Sequence, residues 1–388
     1  MQLLLQSGFI CVTETSTKSR LLLSLFLLAT VRCPAAEPLV TTTTLGPVTL
    51  RPGGFFELLG LHRSARTGTG IQTSFASVPL GPQPEEWAAS PAHSRIALDA
   101  SLHAGGNWLA YYESDFLQSA GRAPYRLRQL WGEYENGGWR VLAGQAWSLL
   151  RPNRHGISSQ NELMNTLVVE PGYHVGLAGR RNRQVRIVRA FGSWHAATAY
   201  EYREGGLVTL KLARDAGRAH GELLLLGGAG KTLGAGLSAV VTIHPRLQWV
   251  SQQLWSQGAG PHLMGPMPAR VHAHACIQGL EASWPSARLR LFAYGGAAYA
   301  TRSESNRLLR QWSVGFHHML VRSVRWGVPE LSAQYSRLER FTWPGGHGAM
   351  HTLSLRLRYS LPGTRRPGEA SDLARSNNNG NNGPSKRR

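Results

Sequence analysis

The chain has 388 residues, 44 of them glycine and 12 tryptophan, with a mean hydropathy of -0.23, which excludes a bundle of membrane helices. Its formal net charge of +20 is almost all arginine, since lysine occurs only at Lys18, Lys211, Lys231 and Lys386. The arginines are dispersed through alternating segments and not gathered in one basic arm, which counts against a nucleic-acid partner.

Lys18 and Arg20 precede the apolar run Leu21 to Val31, and small residues follow at Ala35 and Ala36. The run is too short to span a bilayer, so residues 1–36 read as a secretory signal peptide cleaved near Ala36; a lipoprotein reading at Cys33 is the weaker alternative, because Arg32 stands where a small residue is expected. Removing it takes Cys11 and Cys33 away and leaves Cys276 alone, so no intrachain disulfide is expected. A large exported protein without disulfides must rest on an extended hydrogen-bonded framework, and a closed barrel is one.

A Thr/Pro-rich lead-in, 37–54, is followed by strand-like runs separated by turn-forming clusters. The runs begin with FFELLGLHR at Phe55 and continue through SRIALDASLHA, NWLAYYESDF, YRLRQLWGEYE and WRVLAGQAW. No blade-length repeat interrupts them, which argues against a propeller. At roughly 20 residues per strand and connection, 55–361 holds about 16 strands. NWLAYYESDFL and PYRLRQLWGEY predict a hairpin that sets Asp115 opposite Arg126 and Glu113 opposite Arg128 on one face. Trp108, Ala110, Tyr112, Phe116, Tyr125, Leu127 and Trp131 then take the other face. An ion-paired inside with an aromatic outside is the pattern of a membrane barrel around a wet lumen. Trp108, Trp139, Trp147, Trp194, Trp255 and Trp312, near strand ends, are the expected interfacial girdles.

The connection Ser148 to Gly172 is long for a hairpin and rich in polar residues. It is the candidate constriction loop, with Arg151, Asn153, Arg154, His155, Ser158, Ser159, Gln160 and Asn161 as candidate lining. Further on, LLLLGGAGKT has Leu225 where a phosphate-binding loop needs glycine, and a strand pattern follows it, so Gly230–Lys231–Thr232 reads as a turn. His272 with His274, and His317 with His318, have no evident third metal ligand and read as pore-lining residues. Serines and histidines show no recognisable catalytic arrangement.

TLSLRLRYSL, Thr352 to Leu361, alternates strictly, with Leu353, Leu355, Leu357, Tyr359 and Leu361 on one face and Arg356 and Arg358 on the other. Arg288 and Arg290 repeat the pattern. Rows of one sign along low-dielectric walls favour anions. The competing reading is that these arginines bind lipopolysaccharide phosphates at the rim or pair with distant carboxylates. Residues 362–388 lack an apolar pattern and are expected to be disordered.

The stretch Ser94 to Arg180 resembles the DcaP-type outer-membrane porins. The matching positions are Ser94 and Arg95; Glu113, Asp115 and Phe116; Arg126, Leu127 and Arg128; and Leu142, Ala143, Gly144, Gln145, Trp147 and Ser148. The resemblance implies an antiparallel, trimeric barrel through which small anionic solutes diffuse passively. Family members often carry an amino-terminal coiled coil, and none is visible here.

The expectation is therefore an all-β, transmembrane antiparallel β-barrel of about 16 strands over 55–361, with an inward-folded constriction loop. It would act as a non-enzymatic, cofactor-free outer-membrane porin for carboxylate-bearing anions, in contact with outer-membrane lipid and lipopolysaccharide. The candidate pore-lining set is Glu113, Asp115, Arg126, Arg128, Arg151, Asn153, Arg154, His155, Arg288, Arg290, Arg356 and Arg358. Two other readings remain open at this level: a non-channel barrel with a structural, adhesive or lipid-hydrolysing role, and a secreted soluble β-protein that binds acidic glycans.

Overall fold

The computed structural model describes residues 43–117, 125–159, 167–170, 174–202, 206–262, 271–301, 306–321, 327–343 and 345–362. The expectations for the leader and for 363–388 lie outside these. The described chain is a single antiparallel sheet with short 3₁₀ turns. Its strands are β1 (Thr43–Leu45), β2 (Val48–Arg63), β3 (Glu86–Ser90), β4 (Arg95–His103), β5 (Asn107–Asp115), β6 (Arg126–Asn136), β7 (Trp139–Trp147), β8 (Arg181–Phe191) and β9 (Trp194–Tyr202). They continue with β10 (Leu207–Ala216), β11 (Ala219–Gly228), β12 (Thr232–His244), β13 (Leu247–Gln257), β14 (His272–Trp284), β15 (Leu289–Ala300), β16 (Asn306–Met319), β17 (Val328–Thr342) and β18 (His347–Ser360).

β2 closes the sheet. Its first half pairs with β4, from Val48↔Leu102 to Phe55↔Arg95, and its second half with β18, from Phe55↔Ser360 to Arg63↔Thr352. β2 and β4 to β18 thus form a closed 16-stranded barrel. The short β1 and β3 extend the ladder along the two ends of β2. The first strand, expected from Phe55, begins at Val48 because Pro52-Gly53-Gly54 lies inside it. Gly54 has φ +116° and its missing Cβ would stand 2.2 Å from the Arg95 carbonyl oxygen, so the approach of β4 requires glycine there.

The two faces separate as the alternation predicts. On β18, Leu353, Leu355 and Leu357 are exposed outward, while Thr352, Ser354 and Arg356 are buried inside. β11 departs from that rule: Leu223 and Leu225 face outward and Leu224 and Leu226 are buried inward. The 3₁₀ turn Ala229–Lys231 then joins β11 to β12. In β6 a bulge lies between two register pairs, Glu113↔Gln129 and Ser114↔Leu127. It leaves both Arg128 and Gln129 buried and swings Trp131 inward, correcting its expected outward position.

Trp139 and Trp194 are the first residues of β7 and β9 and Trp108 the second of β5, all exposed at the short-turn rim. Trp147 is not part of a girdle: it is 5% exposed, with the Arg151 and Arg181 guanidinium groups 4.3 and 5.1 Å from its ring. His272 and His274 occupy the outward positions of β14, where His274 stacks on Trp255 at 5.1 Å, so neither is pore-lining. His317 is inside and its neighbour His318 takes the other face.

Arg358 and Glu57 pair across the β2–β18 seam at 2.6 Å, with the guanidinium 3.8 Å from the Phe55 ring centre. Arg358→Ala leaves Glu57 with only the more distant Arg356 at 4.0 Å, a loss of roughly 1.5–3 kcal/mol for a hydrogen bond to a charged group. A lower temperature for the heat-induced shift in electrophoretic migration is the expected result, with Arg358→Lys intermediate.

Candidate functional site

The segment 148–180 leaves β7 and returns to β8, with the Ser148 amide donating to the Arg180 carbonyl at 2.8 Å. In between, its backbone turns into the barrel, where main-chain amides must find partners on the wall. The Leu149 amide donates to Glu201 on β9 (3.1 Å) and that of Asn153 to Glu222 on β11 (2.9 Å). Leu167 donates to the Tyr294 hydroxyl on β15 (2.9 Å) and Val169 to Gln334 on β17 (2.5 Å). Val175 donates to Gln311 on β16 (3.0 Å) and Ala178 to Gln252 on β13 (2.8 Å). Isolated carboxylates and glutamines at inward strand positions therefore serve the loop.

The loop also touches the wall directly. A Cβ on Gly176 would lie 1.9 Å from the Cys276 carbonyl oxygen, and one on Gly296 2.0 Å from that of Val175. Leu150, Val175 and Ala178 of the loop share a dry cluster with Phe75 and Val78 from the 64–85 connection and with Leu224, Leu226, Leu254, Leu309, Leu338 and Met350 of the wall. This cluster is why β11 is apolar on both faces.

The opposite flank, β4 to β8, keeps charge. Arg126 binds Asp115 through both nitrogens, Nε to Oδ1 at 2.9 Å and Nη2 to Oδ2 at 2.6 Å. Arg128 bridges Asp115 (2.6 Å) and Glu113 (2.5 Å), and Arg95 approaches Glu113 at 3.5 Å. Asp115 is fully buried, and Glu113 and Arg128 nearly so, yet Arg95 and Arg126 keep some exposure, as do Glu133, Glu135 and Arg140. Phe55 separates Arg95 (5.1 Å) from Arg358 (3.8 Å), and the alternation resumes beyond it. Glu57 takes Arg358, and Glu330 takes Arg356 (3.1 Å) and Arg290 (3.3 Å).

These contacts place the predicted residues. The four charges of the β5–β6 hairpin come together as one cluster. Arg290, Arg356 and Arg358, which have no acidic neighbour in sequence, are paired with carboxylates from distant strands. Arg288 lies off the wall, in the turn after β14 with φ +55°, and donates to the Leu320 carbonyl at 2.9 Å. Arg154 reaches Glu281 (2.7 Å), and His155 shares Asp215 with His195 and His220 at 2.8, 3.0 and 2.7 Å. The Arg151 carbonyl and the Asn153 side chain accept from Lys211 Nζ at 2.8 and 3.3 Å. Ser158 and Ser159 lie in the described loop, whereas Gln160 and Asn161 fall outside the described residues. Sequence reasoning missed Lys211, Glu222, Asp215, Glu281 and Glu170; their signal was a lone charge at an inward position or at the end of the loop. Among the described residues no group of three or more His, Cys, Asp or Glu side chains is arranged to hold a metal ion.

Glu170 is the loop's buried carboxylate. Thr73 and Thr352 donate to it at 2.5 and 3.2 Å, and its amide donates to Gln334 at 3.2 Å. Burial raises its pKa above the usual carboxylate value, opposed by the Thr73 hydrogen bond and the Arg63 charge. Burial lowers His174 to about 4, so it sits neutral with Nδ1 against the Val175 carbonyl at 2.9 Å. Because docking raises the Glu170 pKa, the docked loop binds the proton more tightly than the free one. Docking is therefore favoured below the ordinary carboxylate pKa and weakens as pH rises through the raised value. Amide exchange at Val169, Glu170 and Val175, corrected for intrinsic rates, should show less protection at pH 7 than at pH 5. Glu170→Gln should remove that difference; an unchanged pH response in the variant contradicts the assignment.

No family model and no curated protein matches the chain. Among solved structures, the chain is similar to the outer membrane channel DcaP of Acinetobacter baumannii, with TM-score 0.69 and 16% identity over 83% of this chain and 100% of that one. It is similar to the anion-selective porin from Comamonas acidovorans, with TM-score 0.57 and 11% identity over 81% of this chain and 100% of that one. A third similar structure is OmpT, an outer membrane protein of Vibrio cholerae in its trimer form, at TM-score 0.54 and 10% identity over 81% and 100%. At such identities the likeness is one of fold, that of a porin-like 16-stranded barrel.

Proposed function

We propose that this chain is a passive diffusion channel of the bacterial outer membrane, narrowed by the 148–180 loop and passing small polar solutes with a modest preference for carboxylate-bearing anions. The observation that carries the reading is the loop's uneven attachment. Most of its bonds go to inward side chains of β9 to β17, with Arg140 on β7 also donating to the Ile157 carbonyl, and across from it stands a flank whose inward residues are charged and partly exposed. A barrel that merely stabilised a membrane would have no need of a hydrated charged flank facing an anchored loop.

The outer face supports the setting. Phe56, Leu58, Val185, Ile187, Leu210, Leu223, Leu225, Leu353 and Leu355 are exposed outward, a surface suited to hydrocarbon. A homotrimer belongs to the same proposal through the resemblance to DcaP-type porins. The anion preference is modest because Arg290, Arg356 and Arg358 are compensated by Glu330 and Glu57.

Refolded protein in a planar bilayer should give discrete ohmic steps. In a tenfold salt gradient the reversal potential should lie on the anion side, well short of the ~59 mV of a perfectly selective pore. Glu133→Gln with Glu135→Gln should move it further toward anions. A cation-side potential would end the anion reading, and an absence of steps would leave a sealed barrel, toward which the dry cluster beneath the loops points. Gly296→Leu drives a side chain into the Val175 carbonyl and should displace the loop. Larger steps with more open-channel noise are expected, with heat-modifiable migration retained.

A further inference from the structure

On the outer surface, Trp249, Gln278, Leu280, Ala293, Gly295 and Trp312 line a groove of about 470 Å³. All of them hold outward positions on β13 to β16, so the groove opens away from the lumen. Indoles from β13 and β16 wall it, and small residues of β15 form its floor. Gly295 is the register partner of Gln278 on one side and Trp312 on the other, and a Cβ there would meet nothing within 4 Å.

Toward the end of the barrel that carries the long connections, the groove meets charge. Arg310 precedes Trp312 by two residues on the same face of β16, about 7 Å along the strand. Arg337 is the register partner of Trp312 on β17. Glu339 lies across from Arg310 but is bonded to Arg337 Nη2 at 2.9 Å. The Arg310 guanidinium instead lies 5.7 Å from the Phe341 ring, which Arg307 also approaches at 5.8 Å. The Arg337 Nε has no hydrogen-bond partner. Arg307, Arg310 and Arg337 thus stand on β16 and β17 at the edge of an apolar surface, and of the three Arg337 is ion-paired with Glu339.

We propose that this face binds a phosphorylated lipid of the extracellular leaflet, with an acyl chain in the Trp249–Trp312 groove and a headgroup phosphate on Arg310 and Arg337. The inference rests on the outer-membrane reading above. Charge complementarity selects the occupant: guanidinium forks bordering hydrocarbon require an anion, and phosphate accepts them bidentately. A second copy of this chain would bring the same excess of arginine to the contact, and free phosphate would leave the groove unfilled.

The test uses the full chain in mild non-ionic detergent, with bisphosphorylated lipid A, its dephosphorylated form and inorganic phosphate as probes, read by native mass spectrometry. Lipid A should be retained about tenfold better than the dephosphorylated lipid and should not be displaced by millimolar phosphate. Arg310→Gln with Arg337→Gln should cut retention about tenfold, and so, separately, should Gly295→Phe, which fills the groove from an unstrained backbone. Both variants should keep heat-modifiable migration and conductance steps. Equal retention by wild type and variants, binding of phosphate alone, or cross-links showing a second copy seated on Trp312 would each overturn the proposal. Conductance that persists in any of those cases leaves the channel reading intact.

Discussion

Everything in this barrel depends on how β2 is shared. In the membrane setting proposed above the sheet can leave no edge, since an unpaired amide or carbonyl facing hydrocarbon has no water to turn to. β2 meets the requirement by lending its first half to β4 and its second half to β18, so the earliest described strand of the barrel and the last are neighbours. The changeover falls at Phe55, which pairs with Arg95 on one side and Ser360 on the other. There the Arg95 and Arg358 guanidinium groups both approach its ring, so the seam is held by side chains as well as by the ladder.

The same demand for amide partners organises the interior. Once the 148–180 segment turns inward, it leaves both the ladder and bulk water, and the wall must answer each amide it carries. Gln252, Gln311 and Gln334 do this with carbonyl oxygens while donating elsewhere: Gln252 to the Leu150 carbonyl at 2.9 Å and Gln334 to Ser336 at 2.7 Å. The lumen is thereby divided: beneath the loops an apolar cluster is ringed by charges and glutamines that bind loop backbone or loop side chains, whereas from β4 to β8 the charges pair chiefly with one another. The arrangement also sets the demands on glycine, because Gly176 and Gly296 let two backbones meet where side chains would hold them apart.

How much of this the sequence disclosed follows from separation along the chain. Asp115 and Arg126 stand 11 residues apart in one hairpin, so alternation alone places them on one face. Glu57 and Arg358 stand 301 residues apart and meet only because the barrel closes, so no local pattern could pair them, and Arg358 read as uncompensated. The Trp131 error has a different cause: a bulge inserts one residue and reverses the parity of everything after it, and nothing in YRLRQLWGEYE announces it. Trp147 was misplaced because its partners, Arg151 and Arg181, belong to the loop and the next strand, whose convergence is tertiary. Strand number and the inward loop were legible because period-two alternation and connection length are local properties of the chain.

The chain's positive charge says less about the lumen than composition suggests. Arg126, Arg128, Arg290, Arg356 and Arg358 each lie within 3.3 Å of a carboxylate. A pair that close acts at a distance as a dipole, whose field decays faster than that of a lone charge and is then screened over about 8 Å at physiological salt. Other arginines sit outside the lumen altogether: Arg189 and Arg214 stack over Trp139 and Trp194 at 5.0 Å on the outer rim, and Arg310 faces outward over Phe341. Excess charge placed on the rim attracts the phosphates of a bilayer, whereas compensated charge within the barrel supplies hydrogen-bonding forks without a strong net potential. A solute entering such a lumen meets guanidinium groups already holding carboxylates. On the channel function proposed above, a carboxylate solute would be selected by how well it exchanges with theirs at short range, which is a matter of fit and geometry and not of net charge.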